Sequence, residues 1–249
     1  MNDRSVAVDF HVHTKYSFDS VTPPKLAIEM ARRRGLDGIA VTDHDTIAGA
    51  IAACEANRYD DFLVIPGIEV KSDRGDVIGL YVKEEIRSRA FADVIDEIKS
   101  QGGLVYIPHP IRTFGCANVE HVHAGFPQID LWERYNGRYG ERDFVKSDAI
   151  FGELEIDAAL CGSDAHFPWE IGLLRTLLDD LPRGPASLLA LQAEAALCAT
   201  PRGELPLRTG IALGEAIKTF KRGHYLRFGT LIASLPIRAL RRALRPLSP

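Results

Sequence analysis

The chain is poor in the residues that staple small secreted proteins together. Four cysteines occur in 249 residues (Cys54, Cys116, Cys161 and Cys198), and no two form a CxxC pair. That spacing argues against a disulfide framework and against a zinc ion held by thiolates, and it makes a reduced, cytoplasmic setting the default expectation. No apolar run approaches the roughly 20 residues that span a bilayer. The opening Met1-Asn2-Asp3-Arg4 lacks the charged-then-apolar order of a signal peptide. Acidic residues stop at Glu215. Up to that point 22 Lys and Arg face 34 Asp and Glu, a net charge of −12, whereas residues 216–249 carry eight cations and no carboxylate. An acidic body excludes a composition built for stable DNA binding. What is present is ordinary for a soluble globular protein, at 46% hydrophobic and 26% charged residues. The length suits one large domain with a smaller appendage.

Short apolar runs alternate with helical patterns over the first two-thirds. Strands are expected at 6–10, 38–42, 62–65, 68–71, 76–82, 104–107, 129–133 and 158–161. Helices are expected at 23–34, with Thr22 as N-cap and Gly35 at the end, and at 46–57, 90–100 and 141–151. The stretch around Glu120-His121-Val122-His123 reads as loop. Repeated strand–helix alternation predicts parallel strands in an α/β barrel or a doubly wound sheet. Pro182, Gly184 and Pro185 mark a break. Residues 1–181 therefore read as the body and 182–249 as a helical, basic extension, with a helix over 187–199.

Polar residues gather just past the strands. His11-Val12-His13 follows the first, and alternate residues on a strand share a side, so both imidazoles can grip one ion. Thr42-Asp43-His44-Asp45 ends the second. Glu69, His109, Glu133 (with Asn136 nearby) and Asp164-Ala165-His166 end later ones. Ionisable side chains after apolar strands are costly to bury unless paired or coordinated. In an α/β barrel the C-terminal strand ends are where active sites form. Imidazole and carboxylate without thiolate suits Zn, Mn or Fe. The donors are too many for one tetrahedral ion, which implies bridging carboxylates and several ions, the usual apparatus for phosphate ester hydrolysis.

His11-Val12-His13, Asp19, Asp43-His44, Glu69, His109 and Asp164-Ala165-His166 resemble, in order and approximate spacing over residues 6–180, the PHP (polymerase and histidinol phosphatase) superfamily. The resemblance implies a distorted (β/α)7, TIM-like barrel with a helical C-terminal extension. It implies a hydrolase acting on phosphoric ester bonds, through a water activated at a site of two or three divalent metal ions (Mn, Zn or Fe). One metal would be held by His11, His13, Glu69 and Asp164. Glu69 would bridge to a second held by His109, with Glu133 as candidate further ligand. Asp19, His44 and His166 would hold a third. Asp9 and Asp43 would orient ligating imidazoles. The catalytic set is then His11, His13, His44, Glu69, His109, Asp164 and His166. Arg138 and Arg112, with Arg134 behind them, are the candidate phosphate clamps.

Members that cleave nucleotides carry a sizeable insertion between the Glu69 and His109 motifs. Here one strand and one helix fill that interval, which argues for another small phosphorylated substrate. A nuclease or nucleotide phosphatase, and a catalytically silent PHP binding module, stand as the alternatives. The tail places Ile237, Leu240 and Leu244 on one helical face and arginines on the other. Three readings of it stand: packing on the acidic body, contact with an anionic membrane surface, or binding of RNA or another polyanion.

Overall fold

The computed structural model describes residues 5–192 and 197–199; the basic tail and its three readings lie outside them. β1 (Val6–Val12), β2 (Gly38–Val41) and β3 (Leu63–Lys71) run parallel, joined by α1 (Pro24–Arg33) and α2 (Ala48–Ala56). β4 (Asp76–Leu80) is antiparallel to β3 and to β5 (Leu104–Ile107), with α3 (Phe91–Ser100) before β5. β6 (Leu131–Asn136) and β7 (Ala159–Gly162) follow parallel to β5. Between them lie α4 (Pro110–Thr113), α5 (Cys116–Gly125) and α6 (Glu141–Glu153). β8 (Arg175–Leu178) pairs antiparallel with β1, α7 (Pro185–Gln192) follows, and β9 (Leu197–Ala199) edges β8. Past β7, Ala165 bridges Val12, with His13 N–H donating to Ala165 O at 2.8 Å. This contact brings the two ends of the sheet together, so β1 to β8 wrap into a nearly closed barrel.

The helices form because their apolar residues recur at helical spacing. α1 buries Pro24, Ala27, Ile28 and Ala31, and α3 buries Phe91, Val94, Ile95 and Ile98, each an i, i+3, i+4, i+7 stripe. Those stripes pack on the outer face of the sheet. The inner face holds a second cluster that includes Val8, Phe10, Ile65, Leu80, Tyr106, Leu131 and Leu160. Polar residues sit above it at the C-terminal strand ends.

Several expectations are corrected. The 62–65 and 68–71 runs are one strand. Pro66, which has no N–H, falls where β3 stops pairing with β2 and starts pairing with β4, so the ladder loses little there. β4 is antiparallel because only residues 72–75 connect it to β3, with Ser72 N–H donating to Gly75 O at 3.0 Å, and so short a link makes a hairpin. Thr22 does not cap α1. Its hydroxyl donates to His166 O at 3.3 Å, and the cap position is Pro23. His121 and His123 lie on α5 rather than in a loop. The helix expected through Ala199 ends at Gln192, because Leu197–Ala199 pair with β8 and the ladder overrides Ala and Leu helix propensity. Cys54 and Cys116 are free thiols, but Cys161 is disulfide-bonded, a tie that the wide cysteine spacing does not signal.

Leu188 of α7 is fully buried and belongs to the inner cluster with Val8, Phe10 and Leu178. The barrel's core therefore draws on a residue beyond Leu181. Leu188→Ala should destabilise the protein by about 2–5 kcal/mol, the range for leucine truncation in a packed core. Thermal or urea unfolding checks it. An unchanged midpoint would mean that α7 does not support the barrel.

Candidate metal centre

Phe10 and His11 are adjacent, yet Phe10 joins the inner cluster and His11 points into the barrel mouth. Simple alternation along a strand forbids that. The β1–β2 register shifts between Asp9 and Val12. Such an irregularity re-aims side chains, and here it lets His11 and His13 follow Phe10 on one side while Val12 packs outside. β3 needs no such device: Ile65, Glu69 and Lys71 share a face at even spacing.

His11 Nε2 and His13 Nε2 lie 3.1 Å apart, and Glu69 Oε2 is 3.3 Å from each. Asp164 Oδ1 is 3.3 Å from His13 Nε2 and 3.8 Å from His11 Nε2. Donors around one tetrahedral ion, at bond lengths of about 2.0–2.2 Å, are about 3.3–3.6 Å apart. His11, His13 and Glu69 are thus spaced as one donor group, and Asp164 groups with His11 and His109. Glu69 turns its other oxygen, Oε1, to His109 Nε2 at 3.1 Å, and Asp76 completes a donor group with that pair. A further group joins His13 to Asp19, His44 and His166. In it Asp19 Oδ2 is 3.1 Å from His166 Nε2 and 3.4 Å from His44 Nε2. His109 (φ 33°) and Asp164 (φ 53°) hold left-handed backbone conformations, which non-glycine residues adopt mainly where surrounding structure imposes them.

The structure places some expected residues differently. Glu133 is fully buried and belongs to none of the donor groups among the described residues. Its Oε1 is 3.1 Å from His11 Nδ1, and its Oε2 accepts from His109 N and from Asn136 Nδ2. Asp9 and Asp43 orient backbone, not imidazole rings. Asp9 accepts from Ser163 N, Ser163 Oγ and Gly172 N, tying β1 to the segments after β7. Asp43 accepts from Thr14 N and Thr14 Oγ1, fixing the loop that carries Asp19. The rings are oriented by Glu133 on His11, by Thr113 Oγ1 at 2.7 Å from His109 Nδ1, and by Asp164 O, which at 2.9 Å accepts from His166 Nδ1 and so leaves Nε2 free to ligate; Arg138 Nη2 lies beside the same Nδ1.

Arg138 is not a free phosphate clamp. Its Nε donates to Asp164 O at 2.9 Å and its Nη2 to Glu170 at 3.2 Å, and the side chain is 13% exposed. Arg112 donates to Asp143 and lies over the Tyr139 ring. Arg134 pairs with Asp148. Asp76 and Thr113 escape the sequence reading. Thr113 carries a legible signal, four residues after His109 on a helical turn. Asp76 is an acid at the start of an ordinary strand and carries none.

Glu69 is pushed up by burial, but His44 and His11 beside it outweigh that and hold its carboxyl well below the usual range. Asp164 is held low by His11 and Arg138, and Asp19 by His166 and His44, again against burial. Burial lowers the His44 imidazole, but Glu69 and Asp19 raise it to about 9. His11 is likewise raised well above its ordinary value, by Glu133, Asp164 and Glu69 acting against burial. His13 goes the other way, to about 3, because it is buried and has His166 and His44 as neighbours.

This donor set fits divalent metal. His13 Nδ1 is buried without a hydrogen-bond partner among the described residues. A neutral His13 protonated there turns its Nε2 lone pair toward the Glu69 and Asp164 carboxylates. Lone pairs facing lone pairs at such distances call for a cation between them.

A sequence model of the PHP domain matches residues 9–138, just over half of the chain. An uncharacterized protein of Methanocaldococcus jannaschii is 34% identical over 113 residues, covering 41% of this chain and 66% of that one. The phosphoribosyl 1,2-cyclic phosphate 1,2-diphosphodiesterase of Eggerthella lenta is 39% identical over 82 residues, covering 30% and 31%. The crystal structure of a two-domain protein containing a predicted PHP-like metal-dependent phosphoesterase, from Bacteroides vulgatus, matches with a TM-score of 0.62 at 16% identity, covering 79% of this chain and 65% of that one. That likeness is one of fold. The chain spans no more than about two-thirds of the length of these three proteins.

Protonated His11 and His44 must lose a proton before they can ligate. Metal binding at pH 7 should therefore release protons, and the apparent affinity should rise between pH 6 and 9, by about tenfold per unit for each proton displaced. Calorimetry of Mn or Zn binding in two buffers of different protonation enthalpy measures the release. Binding without proton release would show that these histidines are not ligands.

Proposed function

The chain belongs to the PHP domain family, and from that premise we propose that it hydrolyses a phosphate ester with the help of two or three divalent ions. The observation that carries this reading is the sharing of Glu69. One oxygen meets His11, His13 and His44, and the other meets His109. A carboxylate shared between donor groups is what a multi-ion hydrolytic site requires. His11, His13, Glu69 and Asp164 would hold one ion. Glu69 and His109, with Asp76 rather than Glu133, would hold a second, and Asp19, His44 and His166 a third. Mn, Zn and Fe all suit these donors. Bound there, such ions supply Lewis-acid polarisation of phosphoryl oxygens and a nucleophile available near neutral pH.

The chain's own residues prepare that chemistry. Glu133 and Thr113 fix the ring planes of His11 and His109, and such outer partners typically matter 10- to 100-fold in affinity or activity. Arg138 spans Asp164, His166 and Glu170, so it joins two donor groups. A cleft of about 400 Å³ opens beside His109 and Asp164 and gives a small substrate access to the donors. The E. lenta relative is, by its name, a diesterase of a small phosphorylated sugar, which supports the same reaction class here. A small phosphorylated substrate is thus the reading favoured over nucleic acid.

Protein loaded with Mn, Zn or Fe should hydrolyse p-nitrophenyl phosphate or its bis ester. His11→Ala should lose roughly 100-fold or more, beyond the loss typical of an outer partner. His121→Ala, at an exposed position of α5 outside every donor group, should keep wild-type rates. No turnover of monoester, diester, nucleotide or short RNA with any of the three metals would overturn the assignment and leave a silent binding module.

A further inference from the structure

The cleft beside the donors is lined by Lys71, Asp76, His109, Arg112, Asn136 and Asp164, with Gly75 and Thr113. Three cations stand near enough to consider as the group that meets substrate charge, and they differ in how far they are already engaged. Arg138 makes three polar contacts and is largely buried. Arg112 pairs with Asp143 and lies over the Tyr139 ring. The Lys71 ammonium makes no hydrogen bond or ion pair with any described residue, and the residue is exposed.

Its position is fixed by the sheet. Lys71 stands two residues beyond Glu69 on β3, so the two share a side of the strand, one deep and one at the rim. The β3–β4 register sets Lys71 directly opposite Asp76, at the hairpin end of the ladder. A lysine is a compact point charge on a flexible stem, able to follow an anion over a few ångströms. The ammonium acts electrostatically on Asp76 across the ladder, but no hydrogen bond or ion pair with a described residue holds it in place.

Resting on the phosphoesterase reading, we infer that Lys71 is the substrate-binding cation of this site. It meets the non-bridging oxygens of the ester at the cleft rim, and Arg138, where the sequence places that role, positions His166 and Asp164 instead. The recognised chemistry is a phosphate group carried on a small molecule.

The test is inorganic phosphate binding to Mn-loaded protein by titration calorimetry, a readout independent of turnover. Lys71→Ala should weaken phosphate binding about tenfold, the low end for a lost charge-assisted hydrogen bond, because the site is open to solvent. Lys71→Arg should restore most of it. Lys83→Ala, an exposed lysine on the β4–α3 connection, should change nothing. Bound Mn and the melting temperature should be the same in all three variants, since Lys71 ligates no metal and packs in no core. In kinetics the Lys71→Ala loss should fall mainly on KM. Equal phosphate affinity in wild type and Lys71→Ala, including equal absence of binding, would overturn the inference. Turnover of a phosphoester by the wild type judges the phosphoesterase reading separately.

Discussion

Everything at the barrel mouth is arranged around one buried carboxylate. Glu69 is 1% exposed and lies within 3.1–3.3 Å of ring nitrogens on four histidines. An isolated carboxylate in that place would cost several kcal/mol and would protonate. The ring of imidazoles reverses this and keeps it ionised. Those imidazoles come from β1, the end of β2 and the end of β5, so ionised Glu69 is also an electrostatic tie between strands far apart in sequence. The same ring of charge makes the mouth a place where metal ions and protons compete for the same lone pairs.

Holding the donors requires departures from regular structure. The register shift in β1 puts His11 on the side of Phe10. Gly162 lacks a Cβ because one there would come within 2.3 Å of His11 Cβ and 2.6 Å of Glu133 Oε1. His109 and Asp164 take left-handed conformations. Each departure is offset by buried hydrogen bonds, most visibly at Asp9. Its carboxylate, pushed up to about 6 by burial, accepts from Ser163 and Gly172 and so holds the post-β7 segment against β1.

Much of this was legible in the sequence, because strand ends can be read from hydrophobic runs and metal donors are few in kind. The donor residues at 11, 13, 19, 44, 69, 109, 164 and 166 gather within overlapping groups. What was not legible depends on relations between strands. Asp76 reaches the site through a hairpin register, and an acid at a strand start gives no sign of its partner across the turn. Glu133 was found as a residue but expected as a further metal ligand beside His109, whereas its Oε1 lies against His11 Nδ1. Its side of His11 is set by where β6 sits in the curved sheet, which a one-dimensional reading does not contain. The 197–199 strand was hidden for a similar reason. Leu and Ala favour helix, and only the β8 edge, whose position no local pattern reveals, draws these residues into a ladder.

The arginines show how residue type and role part company. Sequence reasoning matches guanidinium to phosphate because the fork can hold two oxygens. The same five donors suit a different task, joining a carboxylate, a backbone carbonyl and an imidazole at once, and that is how Arg138 is used. A lysine could not span those three groups, since its donors radiate from a single atom. Burial decides between the two uses. A cation enclosed at 13% exposure and bonded on several sides has its geometry already spent on the protein. The charge left for a ligand must then come from the rim, where a side chain can stay hydrated until something anionic replaces the water.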